Sequence, residues 1–433
     1  MTRFVCSPGA AIGGEIRVPG DKSISHRSVI LASIADGRSN VSGFLQGEDS
    51  LNTMRAFRQM GVQIERDQDR LRIEGRGLHG LRAPGGDLQM GNSGTAMRLL
   101  LGLLAGQSFD ACLIGDRSLS SRPMARVIEP LEAMGASIDA ADGGRAPLCV
   151  RGGKTLTAID YSMPVASAQV KSCLLLAGLY AEGETVVREP APTRDHSERM
   201  LRGFGCEVNS DRGVIRIKGG QRLTACDIDV PADISSAAFF MVAASIAGGS
   251  RLWLRHVGIN PTRTGAIDIL RLMGADIEID NRRKVGGEPV ADITLRAAAL
   301  QGIDIPQHLV PLAIDEFPVL FIAAACASGI TRLSGAEELR VKESDRIQVM
   351  ADGLGNLGID CEVRPDGIVI EGGRLQGGEV DSHGDHRIAM AFSVASLVAA
   401  GDIVIHDCAN VATSFPGFVD LAREIGFRIT VDE

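Results

Sequence analysis

The sequence predicts an α/β (α+β) protein of two domains. Each holds three repeated βαβαββ-type units, with apolar helices inside and sheets outside. Three observations carry this. Apolar helix openings recur six times along the 433 residues. Each apolar helix is followed by an amphipathic one that stops at an apolar residue and Gly: Met60-Gly61, Met134-Gly135, Phe204-Gly205, Met273-Gly274, Leu357-Gly358 and Ile425-Gly426. Those glycines lie 74, 70, 69, 84 and 68 residues apart, too long a period for the common solenoids and right for small globular units.

The first apolar helix opens in Pro19-Gly20-Asp21-Lys22-Ser23-Ile24-Ser25-His26-Arg27 and runs to Ala35, before Gly37. A polar cap, an apolar body and a Gly stop are the signals of a helix. A strand is expected near Ser39 to Phe44, an amphipathic helix from Asp49 and a strand over Val62 to Glu65. The other apolar helices open at Asn92-Ser93-Gly94-Thr95, Ser167-Ala168-Gln169, Asp233-Ile234-Ser235-Ser236, Asp315-Glu316 and Asp385-His386-Arg387. Runs such as Leu174 to Leu179 and Phe317 to Ala327 are apolar all round and must be buried on every side. The second helices carry charge on one face and belong outside. A strand over Glu15 to Val18 has no helix of its own and is expected to complete the last sheet of the second domain. Counting units gives domains of 20–232 and of 1–19 plus 233–433. Hinges are expected near 19–20 and 231–234. No Pro- or Ser-rich linker separates the halves, so the join is tight and suits hinge closure.

The formal charge is −9, which argues against a nucleic-acid partner. Runs such as Ala237 to Ala247 are too short to span a bilayer, which takes about 20 residues. The nine Cys form no C-x-x-C pair and several sit in apolar runs, so they are expected to be buried thiols of a cytoplasmic protein. No metal site and no cofactor motif is evident. Gly14 and Gly20 are misplaced for a Walker A loop ending in Lys22-Ser23.

Polar chemistry clusters at helix openings. On the apolar helices it comprises Lys22, Ser23, Arg27, Gly94, Ser167, Gln169, Asp315 and Arg387; on the outer helices it comprises Arg122, Arg194, Lys342, Glu343 and Arg346. A helix N-terminus has unpaired N–H groups and a positive dipole end, so added cations there suit an anion such as phosphate. At Lys22 to Arg27 a solvated helix start with surface cations is an equal alternative on these residues alone. Arg340-Val341-Lys342-Glu343-Ser344-Asp345-Arg346 puts Lys342 and Arg346 on one helical face, where two cations oppose the dipole unless an anion is bound. Arg122 precedes Pro123 at a first helical turn. Glu316 and Asp385 are expected as plain N-caps and His386 as structural.

Together, the Lys22–Arg27 stretch, Gly91-Asn92-Ser93-Gly94-Thr95, Arg122-Pro123-Met124, Ser167-Ala168-Gln169, Arg340 to Arg346 and Gly384-Asp385-His386-Arg387 resemble the enolpyruvyl transferases over essentially the whole chain. The branch acting on shikimate 3-phosphate is the nearest, in its class II form, from Arg194-x-His196-x-Glu198 and Asn260-Pro261-Thr262-Arg263. The resemblance implies two inside-out domains and transfer of the enolpyruvyl group of phosphoenolpyruvate to the 5-hydroxyl of shikimate 3-phosphate, without cofactor. A monomer is expected. Carried over by motif, Lys22, Ser23, Arg27, Ser167, Ala168, Gln169, Arg194, Asp315 and Lys342 would hold shikimate 3-phosphate. Lys22, Gly94, Arg122, Gln169, Arg346 and Arg387 would hold phosphoenolpyruvate. Asp315, Glu343 and Lys22 would be catalytic. Two features depart from the family pattern: Thr413-Ser414 stands where some members have Lys before Phe-Pro, and Leu99 follows Arg98 where many have Pro. Gly94 leaves room for the inhibitor glyphosate. The sister branch acting on UDP-N-acetylglucosamine uses a loop Cys, and Gly115 to Arg122 has none. A non-catalytic anion-binding scaffold is the rival of another class.

Overall fold

The structure, a computed structural model, describes residues 2–432. A helix leaves its last four carbonyls without helical partners, and a left-handed residue just past the end can satisfy two of them. The chain does this six times. Gly61, Gly135, Gly205, Gly274, Gly358 and Gly426 have φ between 81° and 118°, a conformation that favours Gly. Each Gly N–H bonds three residues back, as Gly61 to the Arg58 carbonyl (3.1 Å). The next N–H reaches back five, as Val62 to the Phe57 carbonyl (3.0 Å). In four repeats an arginine of the last turn also donates to a carbonyl six residues on: Arg58 to Ile64, Arg202 to Val208, Arg271 to Ile277 and Arg423 to Ile429. That bond ties each outer helix to the strand that follows it.

Among the described residues six sheets result, five of four strands and one of three. A repeat places a short strand parallel to the strand after the inner helix, then adds an antiparallel hairpin. Asp160–Ser162 thus runs parallel to Glu184–Arg188, which pairs antiparallel with Val214–Lys218 and then Val208–Asp211. In the three-stranded sheet, isolated bridges from Gln301 and Asp304 take the place of the short strand. The fold is α/β with apolar helices enclosed by sheets.

The start of the chain differs from expectation. Arg3–Ser7, not the next strand, completes the last sheet, between Ile403–His406 and Arg428–Asp432. Phe4 and Cys6 alternate inward there, opposite Ile405 and Ile403. Gly13–Ile16 instead runs parallel to Arg251–Gly258 in the fourth repeat's sheet.

The chain divides into two compact units: 20–230 with 284–288, and 1–19 with 231–283 and 289–433. The tip segment 284–288 of the 276–296 hairpin groups with the first unit, whereas counting repeats assigns it to the second. In the first unit the inner helices are Lys22–Ile34, Gly94–Ala105 and Ala168–Gly178. In the second they are Ile234–Ile246, Phe317–Ala325 and His386–Ala395, which pack on one another. Each unit has its own apolar core. Among the described residues no helix is long and apolar enough to cross a membrane.

The expectation that every Cys is a thiol fails at one pair. Cys112 and Cys149 lie directly opposite each other on neighbouring strands and are joined by a disulfide. Antiparallel register decides this, and sequence distance does not reveal it. The other seven are free; burial pushes the Cys173 and Cys326 thiols up to about 12.

Candidate functional site

In the first unit, the site grows from three helix openings. Asp21 caps Lys22–Ile34, accepting from the Ile24 N–H (2.8 Å), so Lys22 and Ser23 are its first two residues. The Lys22 ammonium pairs with Asp49 of the next helix. Arg27, one turn on, points inward. Its Nε donates to Ser197 Oγ (2.7 Å), Nη2 to Ser172 Oγ (2.7 Å) and Nη1 to the Ser23 carbonyl (3.0 Å). All three acceptors are neutral. Burial pushes the Arg27 pKa down to about 10, opposed by Glu198 and Asp21 and aided by the nearby Arg194 charge.

His26 sits between Thr53 Oγ1 (2.7 Å) and Ser93 Oγ (3.5 Å), and burial lowers its pKa to about 3. The unfolded chain takes up this proton near pH 6.5, whereas the folded chain refuses it until about pH 3. The stability His26 contributes is therefore full above pH 6.5 and is lost as pH falls toward 3. Urea unfolding of a His26→Gln variant should show a shallower decline between pH 6.5 and 4 than the parent; an equal decline would place the acid sensitivity elsewhere.

Ser167 caps Ala168–Gly178 through the Val170 N–H (3.3 Å), which puts Ala168 and Gln169 in its first turn. Ser93 likewise caps Gly94–Ala105. Gln169 joins the two openings: its Nε2 donates to Thr95 Oγ1 (2.8 Å), and its Oε1 accepts from Arg98. Arg122 donates through Nη2 to Asn92 Oδ1 (2.7 Å), and Asn92 is held in turn by Asp116 (2.8 Å). A Cβ on Gly94 would lie 3.1 Å from Arg98 Nη1 and 3.6 Å from Arg122 Nη1. Gly94 is thus the floor between two guanidinium groups. Arg122 is not in a first helical turn. An unforeseen helix, Arg117–Ser120, precedes it, and the outer helix begins only at Ala125 with Met124 as N-cap.

Beneath these openings lies a buried charge cluster. Lys171 Nζ is 3.0 Å from Glu189 and 2.7 Å from Glu198, and the three side chains are 1%, 6% and 2% exposed. Burial raises the Glu189 pKa and outweighs the Lys171 charge.

The second unit carries the other residues. Lys342 and Arg346 do not share a helical face: a 3-10 helix ends at Val341, and a new helix starts at Arg346 with Asp345 as its cap. The fold brings them together anyway. Lys342 Nζ is 3.7 Å and Arg346 Nη1 3.5 Å from Asp315 Oδ1. Arg346 is buried and also donates to Glu343 Oε2 (2.6 Å) and Asp385 Oδ2 (2.8 Å). Burial disfavours its charge, but Asp385, Glu343 and Asp315 more than offset this and raise its pKa. Burial likewise pushes Asp385 up, and Arg346 wins and holds it low. Asp385 caps its helix at the Arg387 N–H (2.9 Å), as expected. Arg387 Nη1 donates to the Asp315 carbonyl (2.9 Å).

Glu316 is not a side-chain cap. It occupies the N-cap position of Phe317–Ala325, but its buried carboxylate turns to Ser235 and Arg263. Acidic residues thus stand at all three inner helix mouths of this unit, whereas the first unit has Asp21, Ser93 and Ser167. Acidic residues at these mouths offset the positive dipole ends in the second unit, so its positive groups are side chains and not bare helix ends. Two Ser-capped mouths in the first leave the dipole itself available to a ligand.

Several residues of this arrangement were not picked out from sequence. Arg98 is one turn past Gly94 and Ser172 three residues past Gln169, so helical spacing could have found them. Asp49, Ser197 and Glu189 come from other elements, and only tertiary contact reveals them. Thr413 donates to the Asn410 carbonyl (2.7 Å) in the last repeat.

A family model described as EPSP synthase (3-phosphoshikimate 1-carboxyvinyltransferase) matches residues 6–421. The chain is 67% identical to the 3-phosphoshikimate 1-carboxyvinyltransferase of Methylococcus capsulatus, covering 99% of this chain and 98% of that one. It is 64% identical to the enzyme of the same name from Alkalilimnicola ehrlichii, covering 99% and 96%. Its structure matches that of EPSP synthase from Acinetobacter baumannii with a TM-score of 0.93 and 55% identity, over all of both chains.

Proposed function

Because the chain belongs to the EPSP synthase (3-phosphoshikimate 1-carboxyvinyltransferase) family, we infer that it transfers the enolpyruvyl group of phosphoenolpyruvate to the 5-hydroxyl of shikimate 3-phosphate and releases phosphate. This is a step of the shikimate pathway toward chorismate and the aromatic amino acids. The single observation that carries the catalytic reading is the sharing of Arg346 by Asp315 and Glu343. Enolpyruvyl transfer needs a base at the attacking hydroxyl and an acid at C3, and two carboxylates beside one arginine can supply both.

Two polyanions repel, and fixed cations bring them together. In this reading Ser23, Arg27, Ser167, Ala168, Gln169 and Arg194 hold shikimate 3-phosphate from the first unit, with Lys22 at the same helix mouth. Asp315 and Lys342 take its ring hydroxyls. Phosphoenolpyruvate is held by Lys22, Gly94, Arg122, Gln169, Arg346 and Arg387; Arg forks match both carboxylate and phosphate. Asp315 removes the proton of the attacking 5-hydroxyl, Glu343 protonates C3, and the tetrahedral intermediate expels phosphate, with Lys22 aiding at the oxygen.

Phosphate release from purified protein given shikimate 3-phosphate and phosphoenolpyruvate tests the reaction. Release only with a nucleotide sugar, or none, rejects it. The role of Gly94 has its own test. In Gly94→Ala the added methyl crowds Arg98 and Arg122, and the KM for phosphoenolpyruvate should rise roughly tenfold, about 1.4 kcal/mol. The KM for shikimate 3-phosphate should barely move; equal change in both would remove Gly94 from the phosphoenolpyruvate side.

A further inference from the structure

We propose that Glu316, held by Arg263 and Ser235, is a positioning residue that aims Arg387 at phosphoenolpyruvate without neutralising it. The proposal rests on the assignment of Arg387 to that substrate. Among the described residues the Arg387 side chain is fixed on one side: Nη1 donates to the Asp315 carbonyl, 2.9 Å away, and lies 4.0 Å from Glu316 Oε1. The second distance is too long for a hydrogen bond but short enough for strong attraction in a buried setting. Glu316 is 1% exposed and does not come closer because it is held elsewhere. Ser235 Oγ donates to its Oε1, and Arg263 Nη2 lies 3.8 Å from the same oxygen. Arg263 is anchored in turn by Ser235 Oγ (2.6 Å) and by Asp233 (3.4 Å), the cap of the Ile234–Ile246 helix.

The charges explain the arrangement. An arginine that must bind an anion needs a fixed direction, and a carboxylate supplies one. A carboxylate in bidentate contact would also occupy the donors the ligand needs. Holding Glu316 back with a second, buried arginine keeps the orienting field and leaves the Arg387 fork for substrate. Arg263 also supplies the charge that a buried carboxylate requires when Arg387 turns to its ligand. Supporting shells of this kind locate a binding group more closely than its own rotamer preferences can.

The test is steady-state kinetics with each substrate varied separately, on Glu316→Gln, Ser235→Ala and Arg387→Ala, with thermal midpoints measured alongside. Glu316→Gln keeps the shape and the Ser235 bond but removes the charge. It should raise the KM for phosphoenolpyruvate about tenfold, with kcat and the KM for shikimate 3-phosphate nearly unchanged, while the midpoint falls because a buried counter-charge of Arg263 is lost. Ser235→Ala releases Glu316 toward Arg387 and should weaken phosphoenolpyruvate selectively too; this small change also decides the matter if Glu316→Gln does not fold. An unchanged KM for phosphoenolpyruvate in a folded Glu316→Gln protein overturns the proposal. So does an equal rise of both KM values, the signature of a purely structural pair. Arg387→Ala separates the premise: if it leaves phosphoenolpyruvate affinity intact, the assignment of Arg387 fails, whatever Glu316 does.

Discussion

Asp315→Asn is expected to lower kcat by about 10²- to 10⁴-fold, the range for loss of a positioned general base, while both substrates still bind. The side chain keeps its size, and its oxygen can still face Lys342 and Arg346, which lie 3.7 and 3.5 Å away. What disappears is the capacity to accept the proton of the attacking hydroxyl. Glu343→Gln should show a similar fall in kcat with binding largely intact, because Arg346 can still donate to the amide oxygen. The two positions differ in setting: Glu343 has a side chain 32% exposed against 16% for Asp315, so its loss should disturb the fold less. Rapid-quench measurement of a single turnover separates chemistry from release. If either variant loses substrate affinity and keeps normal turnover at saturation, that carboxylate is a binding group and not an acid or base.

Lys171→Met is expected to destabilise the protein by about 3–5 kcal/mol, the cost of leaving buried carboxylates without their cation. Glu189 and Glu198 both approach Lys171 Nζ within 3.0 Å, Glu198 through Oε1, and among the described residues its buried Oε2 has no hydrogen-bond partner. The loss should shrink at lower pH, because burial favours the neutral form of Glu189. Adding Glu198→Gln to Lys171→Met should recover part of the deficit. Denaturant midpoints of the parent, the two single variants and the double variant form a complete cycle. A deficit that is unchanged at pH 5 and unrelieved in the double variant would mean a packing defect and not an uncompensated charge.

These expectations draw on different depths of the sequence. The six stop glycines are local: a left-handed residue, a bond three back and a bond five back need only six consecutive residues. Caps such as Asp21, Ser93 and Ser167 are local for the same reason, so helix openings and the residues in their first turns could be read directly. Local rules failed where a side chain had two possible partners. Glu316 stands at a cap position, yet Ser235, 81 residues away, competes successfully for its carboxylate. Lys342 and Arg346 have helical spacing, yet the helix breaks between them, and they meet only through Asp315.

Local signals were enough for the α/β class and the six repeats, because each cap, apolar run and stop glycine is complete within one repeat, and the resemblance of the combined motifs carried the family and the reaction. Tertiary structure alone decided where charge is balanced. It chose Asp49 for Lys22, serines for Arg27, Glu316 for Arg263, the disulfide partner of Cys112, and which of the two leading strands joins which sheet. The physical reason is range. A backbone cap forms with its own neighbours, whereas a buried charge needs whatever opposite charge or dipole the whole fold brings within about 4 Å.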